Sequence, residues 1–189
     1  NELDALANVD LTTKTPKGTL KSLEIVRLGT TGAMQGDIPV GSAVASEYGL
    51  GMDGTVNYYM GAEKILEKEL LEDFLTQIAW PASLQEPYIV KASGELTDKF
   101  TYDMVSGITV TSPGFYGPQG RSIRIPVAHP DLNEKLTAFR HGQLRVINYE
   151  METAAIFGLG KMMGHRVASV CLVLANRVTG KFLKDYNSK

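Results

Sequence analysis

Arg166 to Ala175 reads R-V-A-S-V-C-L-V-L-A, a run of strand length with hardly a polar side chain in it. A strand with one wet face alternates apolar and polar residues, whereas a nearly continuous apolar run belongs to a strand covered on both faces. Such a strand calls for a sheet with helices packed around it, and the rest of the pattern supplies them. Ala62 to Ile78 puts Ile65, Leu66, Leu70, Phe74 and Ile78 on one face of an amphipathic helix, with its Glu and Lys residues on the solvated side. A second helix is expected over Asp131–Phe139, with Asp131 positioned to cap it. A third, apolar helix is expected from about Met151 to Met163, closed by Gly164. Between them fall short strands at Glu24–Leu28, Val44–Tyr48, Tyr88–Ala92, Ile108–Thr111 and Arg145–Tyr149. The fold class is α/β, with helices around a central sheet.

Length and charge bound what such a sheet can serve. The 189 residues fit one domain with a sizeable core, and a net charge of −2 provides no basic footprint for nucleic acid or an acidic membrane. No apolar run approaches bilayer length and no signal-peptide pattern stands at the start, so a cytoplasmic protein is expected. The single cysteine, Cys171, sits inside the apolar run and reads as a buried small hydrophobe, with no internal disulfide partner. His129, His141 and His165 share no metal-ligand spacing and read as turn or surface residues. No Gly-X-Ser-X-Gly elbow appears. Trp80, before Pro81 at a helix end, reads as a packing residue. The chain opens on N-E-L-D-A-L-A, helix-like but without an obvious cap, and closes on K-D-Y-N-S-K. Both ends read as those of a piece of a longer protein.

Three stretches carry chemistry. In V-R-L-G-T-T-G-A, Arg27 leaves a strand and Gly29, Thr30, Thr31 and Gly32 make a turn of small residues. Backbone N–H groups and hydroxyls in such a turn can cradle a phosphate, with arginine adding a fork of charged donors. The same residues equally suit a tight βα turn with Arg27 in a surface ion pair. In F-Y-G-P-Q-G-R, Gln119 offers donors and an acceptor, Arg121 donors only, and Phe115 an apolar surface. Together they can read a flat ring bearing N–H and C=O groups; alternatively this is a turn held by glycine and proline with its polar tips in water. In N-Y-E-M-E-T, Glu150 and Glu152 bracket Met151 at the mouth of the apolar helix. Residues two apart on a helix point to opposite sides, so both glutamates share a ligand only while the chain is still extended. One suits the helix dipole and the other the hydroxyls of a diol, with Met151 under the sugar or in the core.

In this order, V-R-L-G-T-T-G-A-M-Q-G-D-I-P-V-G-S (Val26–Ser42), G-F-Y-G-P-Q-G-R (Gly114–Arg121), I-N-Y-E-M-E-T-A-A-I-F-G-L-G (Ile147–Gly160) and A-N-R (Ala175–Arg177) resemble the nucleoside phosphorylases of the hexameric class. The resemblance implies a three-layer αβα sandwich around a mixed sheet, forming a single, incomplete domain over residues 1–189. It implies that Arg27 and Thr30 bind phosphate, with Thr30 also near the ribose. Phe115, Gln119, Arg121 and Arg177 are implied to hold the base, and Glu150, Met151 and Glu152 the ribose, with Glu152 on its hydroxyls. Arg27, Thr30, Arg121 and Arg177 would then be the catalytic set, with no metal or organic cofactor and inorganic phosphate as co-substrate. Purine-cleaving members have Ser-Asp after the last strand; here the strand ends A-N-R and no aspartate follows until Asp185, which favours uridine. The expected activity is phosphorolysis of uridine to uracil and ribose 1-phosphate in a homo-oligomer, a hexamer built as a trimer of dimers. On the same fold, the alternatives are a purine nucleoside phosphorylase, a hydrolytic nucleosidase or a non-catalytic nucleoside-binding relative. The family's N-terminal Gly-Asp-Pro loop, with its own phosphate-binding arginine, has no counterpart in these residues, nor has the helix expected after Arg177.

Overall fold

In the computed structural model, which describes residues 1–99, 101 and 103–183, the apolar run is a strand of 11 residues, Arg166–Asn176. The helices are α1 (Glu2–Asn8), α2 (Lys68–Ile78), α3 (Gly94–Thr97), α4 (Leu132–Ala138) and α5 (Thr153–Met162). The strands are β1 (Val9–Asp10), β2 (Thr15–Pro16), β3 (Glu24–Ala33), β4 (Ala43–Gly51), β5 (Tyr88–Lys91), β6 (Val105–Thr111), β7 (Arg140–His141), β8 (Leu144–Glu150), β9 (Arg166–Asn176) and β10 (Lys181–Phe182). The main sheet runs β10-β9-β3-β8-β6-β4-β5. It is mixed: β3 lies parallel to β9, and β6 lies parallel to β4 and β8, while β5 and β10 pair antiparallel. The start of β4, Ala43–Ala45, also pairs antiparallel with β9, so the sheet curls into a ring of β9, β3, β8, β6 and β4.

Side-chain alternation builds the layers. On β5, Ile89 joins Leu70, Leu71, Phe74 and Ile78 of α2 and Leu132 and Leu136 of α4. Its neighbours Tyr88 and Val90 point the other way, toward Ala154 and Phe157 of α5. A third cluster, Ala33, Ile38, Val44, Ile147, Cys171 and Val173, lies where the ring closes. The expected α/β sandwich with a mixed sheet is therefore present. Gly49 sets the approach of α5, because a Cβ there would fall 2.8 Å from the Ala154 Cα. Buried polar groups run through the sheet as a chain. Ser46 Oγ and Thr109 Oγ1 are 2.6 Å apart, Thr109 donates to Asn148 Oδ1 at 2.8 Å, and Asn148 Nδ2 donates to Thr31 Oγ1 at 2.8 Å. Each hydroxyl or amide satisfies the next, which removes the cost of burying them.

Several expectations are corrected. Gly29-Thr30-Thr31-Gly32 is not a turn: β3 continues to Ala33, its backbone laddered to Cys171–Asn176 of β9 with a bulge between Thr31 and Gly32. Ala62–Ile78 is not one helix but a short 3₁₀ turn at Ala62–Lys64 followed by α2. The break falls where the Glu67 N–H is drawn to the Ile89 carbonyl of β5 at 2.9 Å instead of to its own helix. Asp131 precedes α4 but makes no side-chain cap; its carboxylate pairs with Lys135 at 2.8 Å. The apolar helix begins at Thr153 rather than Met151, because Glu150 still belongs to β8. His165 is buried, not at the surface: its Nδ1 accepts the Leu23 N–H at 3.2 Å and its Nε2 lies 3.2 Å from Asp4 Oδ1 of α1. Cys171 is buried, Gly164 follows α5 with φ +78°, and Trp80 packs on Phe74 at 5.8 Å between ring centres, all as expected. The K-D-Y-N-S-K stretch lies outside the described residues.

Candidate active site

β3 and β8 are laddered at Gly32–Tyr149 and Ala33–Asn148. The sequence-predicted residues fall into two arms, one around Arg27 and one around Gln119.

The first arm is Arg27 with Glu150 and Glu152. Arg27 runs forward along β3, and its guanidinium occupies the space over Gly29; a Cβ on residue 29 would lie 2.2 Å from Arg27 Nη1. Only a residue without a side chain leaves that place open. There Arg27 Nη2 donates to Glu152 Oε2 and lies 3.3 Å from Glu150 Oε2, while Nη1 donates to Cys171 Sγ at 3.0 Å. Burial disfavours the Arg27 charge, but Glu150, Cys171 and Glu152 more than offset it and hold the guanidinium above its ordinary range. Burial pushes the Cys171 thiol up, so its sulfur serves as a neutral acceptor.

The two glutamates take different parts. The Glu150 side chain is 1% exposed. It accepts the Thr111 hydroxyl at 2.5 Å and the backbone N–H groups of Glu152 and Thr153 at 2.9 Å each. It thus closes the start of α5 from the last residue of β8, supplying the orphan donors of a helix N-terminus with a carboxylate. These contacts suit a supporting part beside Glu152. The Glu152 side chain is 54% exposed, and Arg27 is its one partner among the described residues. Met151 stands between them, partly exposed. Thr30 is exposed and, three places from Arg27 on an alternating strand, projects to the opposite face. No hydrogen bond joins the two among the described residues.

The second arm is built on Gln119, which is buried rather than a polar tip in water. Its Oε1 accepts Arg121 Nη1 at 2.6 Å and Arg177 Nη1 at 3.3 Å, and its main-chain carbonyl accepts Arg177 Nη2 and Asn133 Nδ2, the latter at 3.1 Å. Arg121 also donates to the Phe115 carbonyl at 2.5 Å and lies 3.9 Å above the Phe115 ring. Arg177 lies 5.2 Å from the Tyr149 ring centre, its stem laid over Gly32, and its backbone N–H donates to the Ala33 carbonyl at 2.9 Å. Burial lowers the pKa of both guanidiniums, and Arg121 lowers that of Arg177 further. Neither has a carboxylate partner among the described residues, unlike Arg27. Two half-buried cations therefore face one neutral amide. Phe115, Arg121, Ala175 and Arg177 form part of the wall of a cavity of about 790 Å3, and Arg121 also borders a second, mostly apolar one of about 710 Å3. Arg27, Met151 and Glu152 line neither.

Sequence patterns had not singled out Thr111, Asn133 or Tyr149, and had read Cys171 only as core. Each sits in an ordinary strand or helix pattern, and its contact partner lies on another element, so no local signal marks it.

Residues 7–185 match the family model described as the phosphorylase superfamily, and the chain belongs to that family. It is 32% identical over 165 residues to a uridine phosphorylase of Thermococcus kodakarensis and 27% identical over 158 residues to one of Haemophilus influenzae. These alignments cover 84% and 80% of the chain but 50% and 53% of the relatives, so the chain spans about half the length of the curated relatives it matches. Among solved structures, a Trypanosoma brucei nucleoside phosphorylase shown to have uridine phosphorylase activity superposes with a TM-score of 0.72 at 25% identity. That superposition covers 98% of this chain and 69% of that one.

Proposed function

We propose that the protein cleaves uridine with inorganic phosphate, releasing uracil and ribose 1-phosphate. The observation that carries this reading is the second arm: Arg121 and Arg177, without carboxylate partners among the described residues, converge on Gln119. In phosphorolysis a phosphate oxygen bonds to the anomeric carbon while the bond from that carbon to the base nitrogen breaks. Its electron pair leaves with the base. For uracil, that charge spreads onto the two carbonyl oxygens, where fixed guanidiniums stabilise it more than they stabilise neutral uridine. Gln119 can read the imide edge of the ring, with Phe115 beside it. Asn176, not an aspartate, ends the last long strand ahead of Arg177, so the proton donor expected for a purine leaving group is missing from that position.

In the same reading Arg27 holds the phosphate as nucleophile, without Thr30, which projects to the other face of β3; Glu152 accepts the ribose hydroxyls, and Met151 lies under the sugar. Glu150 is a positioning residue that acts through Arg27 and α5. Phosphate is a co-substrate, and the reaction needs no metal or organic cofactor. The names of the relatives support uridine over other nucleosides. The role belongs to pyrimidine salvage in the cytoplasm; among the described residues, no helix is long and apolar enough to cross a membrane. A homo-oligomer, a hexamer assembled as a trimer of dimers, would bury the apolar Val26, Leu28 and Leu172 that β3 and β9 expose. The deciding assay incubates the protein with uridine or inosine, each with and without phosphate, and follows free base and ribose 1-phosphate. Uracil and ribose 1-phosphate should form from uridine only when phosphate is present. Uracil release that ignores phosphate would make it a hydrolase, and faster cleavage of inosine would make it a purine enzyme.

A further inference from the structure

Arg27 and Glu152 serve different substrates in the reading above, yet in the structure they hold each other. Arg27 cannot be released by Glu150, whose carboxylate is buried and fixed by the Thr111 hydroxyl and two backbone N–H groups. Cys171 on β9 and the open space over Gly29 keep the guanidinium in the same place from the other side. Glu152 alone is free to move, being half-exposed and attached by that one contact among the described residues. With both carboxylates on it, the guanidinium sits in a cluster of net charge −1, counted from one arginine and two glutamates. An incoming phosphate dianion is repelled by that excess, and the Nη2 donors it would use are already taken.

A vicinal diol changes this balance. Its two hydroxyls are donors for a carboxylate and draw Glu152 toward the sugar. Arg27 is then left with Glu150 alone, near charge neutrality and with donors open to an anion. We propose that Glu152 exchanges between Arg27 and the ribose hydroxyls, so that a ribonucleoside unlocks the phosphate arginine and the two substrates bind with positive coupling. This rests on the assignment of Arg27 to phosphate and Glu152 to ribose. By linkage the coupling is reciprocal: phosphate tightens the ribonucleoside by the same factor.

Sulfate tests it, as a tetrahedral dianion too weak a nucleophile to consume uridine. Its dissociation constant is measured by titration calorimetry on the protein alone, with saturating uridine, and with saturating 2′,3′-dideoxyuridine, which lacks both hydroxyls. Uridine should tighten sulfate at least about fivefold, the lower end of ordinary allosteric coupling, and dideoxyuridine should leave it nearly unchanged. Glu152→Gln, a substitution at an exposed side chain, should bind sulfate more tightly than the parent protein when no nucleoside is present, and should lose the response to uridine. A merely structural role for Glu152 would give neither change. Equal sulfate affinity with and without uridine overturns the coupling, as does equal tightening by dideoxyuridine or a coupling that survives Glu152→Gln. Failure of sulfate or of uridine to bind overturns the site assignment itself, and the coupling with it.

Discussion

Glu150 and Glu152 carry the same functional group two residues apart, and the fold puts one at 1% exposure and the other at 54%. The first terminates a buried strand, so its carboxylate must be fully hydrogen-bonded or neutral. The second has left the strand and not yet entered the helix, where it remains open to solvent and to a ligand. Gln119 shows the same dependence on surroundings. Its side-chain oxygen is shared by two arginines, so replacing it brings two cations closer to mutual repulsion and, in the proposed reading, removes a reader of the base. Gln119→Ala is expected to raise KM for uridine and blunt the preference for uridine over inosine, while the fold persists. Steady-state kinetics on both nucleosides with a thermal melt alongside would check this. Unchanged selectivity would remove Gln119 from the site.

At the scale of elements, the junction from β8 to α5 depends on one side chain. Glu150 accepts the first N–H groups of α5, the Thr111 hydroxyl of β6, and lies beside Arg27 of β3. Three elements meet at a carboxylate. Glu150→Ala leaves a buried guanidinium short of a partner and helix donors unsatisfied, and should cost about 3–5 kcal/mol, as breaking a buried pair generally does. Urea unfolding should show a lower midpoint with an unchanged slope. A loss below about 1 kcal/mol, the ordinary worth of an exposed pair, would show that the junction holds without it. The same scale explains why Gly29-Thr30-Thr31-Gly32 reads as a turn from composition. Glycine and threonine suit turns locally, but the ladder to β9 claims those backbone groups and keeps the strand extended through Ala33.

Over the whole molecule, several exposed carboxylates are held below their ordinary range by their partners. The Asp37 carboxyl is held below its ordinary range by Arg145, which binds it through two nitrogens at 2.7 and 2.9 Å. Glu24 is lowered by Lys99, Asp131 by Lys135, and Asp73 by Gln77 and then His141. A depressed carboxylate contributes stability above its unfolded pKa and loses it as pH falls through the folded one. Stability is therefore expected to hold as pH falls from neutral to about 4, the ordinary carboxylate range, and to decline below it. Thermal melts from pH 7 to pH 3 would show this; a steep loss already at pH 6 would contradict it. The α/β class, the strand at Arg166–Asn176, α5 with its closing Gly164, and Gln119, Arg121 and Arg177, which the structure brings together, were legible in the sequence. Periodicity reports which faces are covered, and chemistry-bearing residue types stand out in short loops. The break before α2, the extended G-T-T-G, the burial of His165 and the separate parts of Glu150 and Glu152 were not legible. Each depends on a partner far along the chain: Ile89 for Glu67, β9 for Gly29–Gly32, Asp4 and Leu23 for His165, Arg27 and Thr111 for Glu150. Hydrophobic patterning is a local property and survives in one dimension. Which backbone group or carboxylate is already spent is a property of contacts, and only folding decides it.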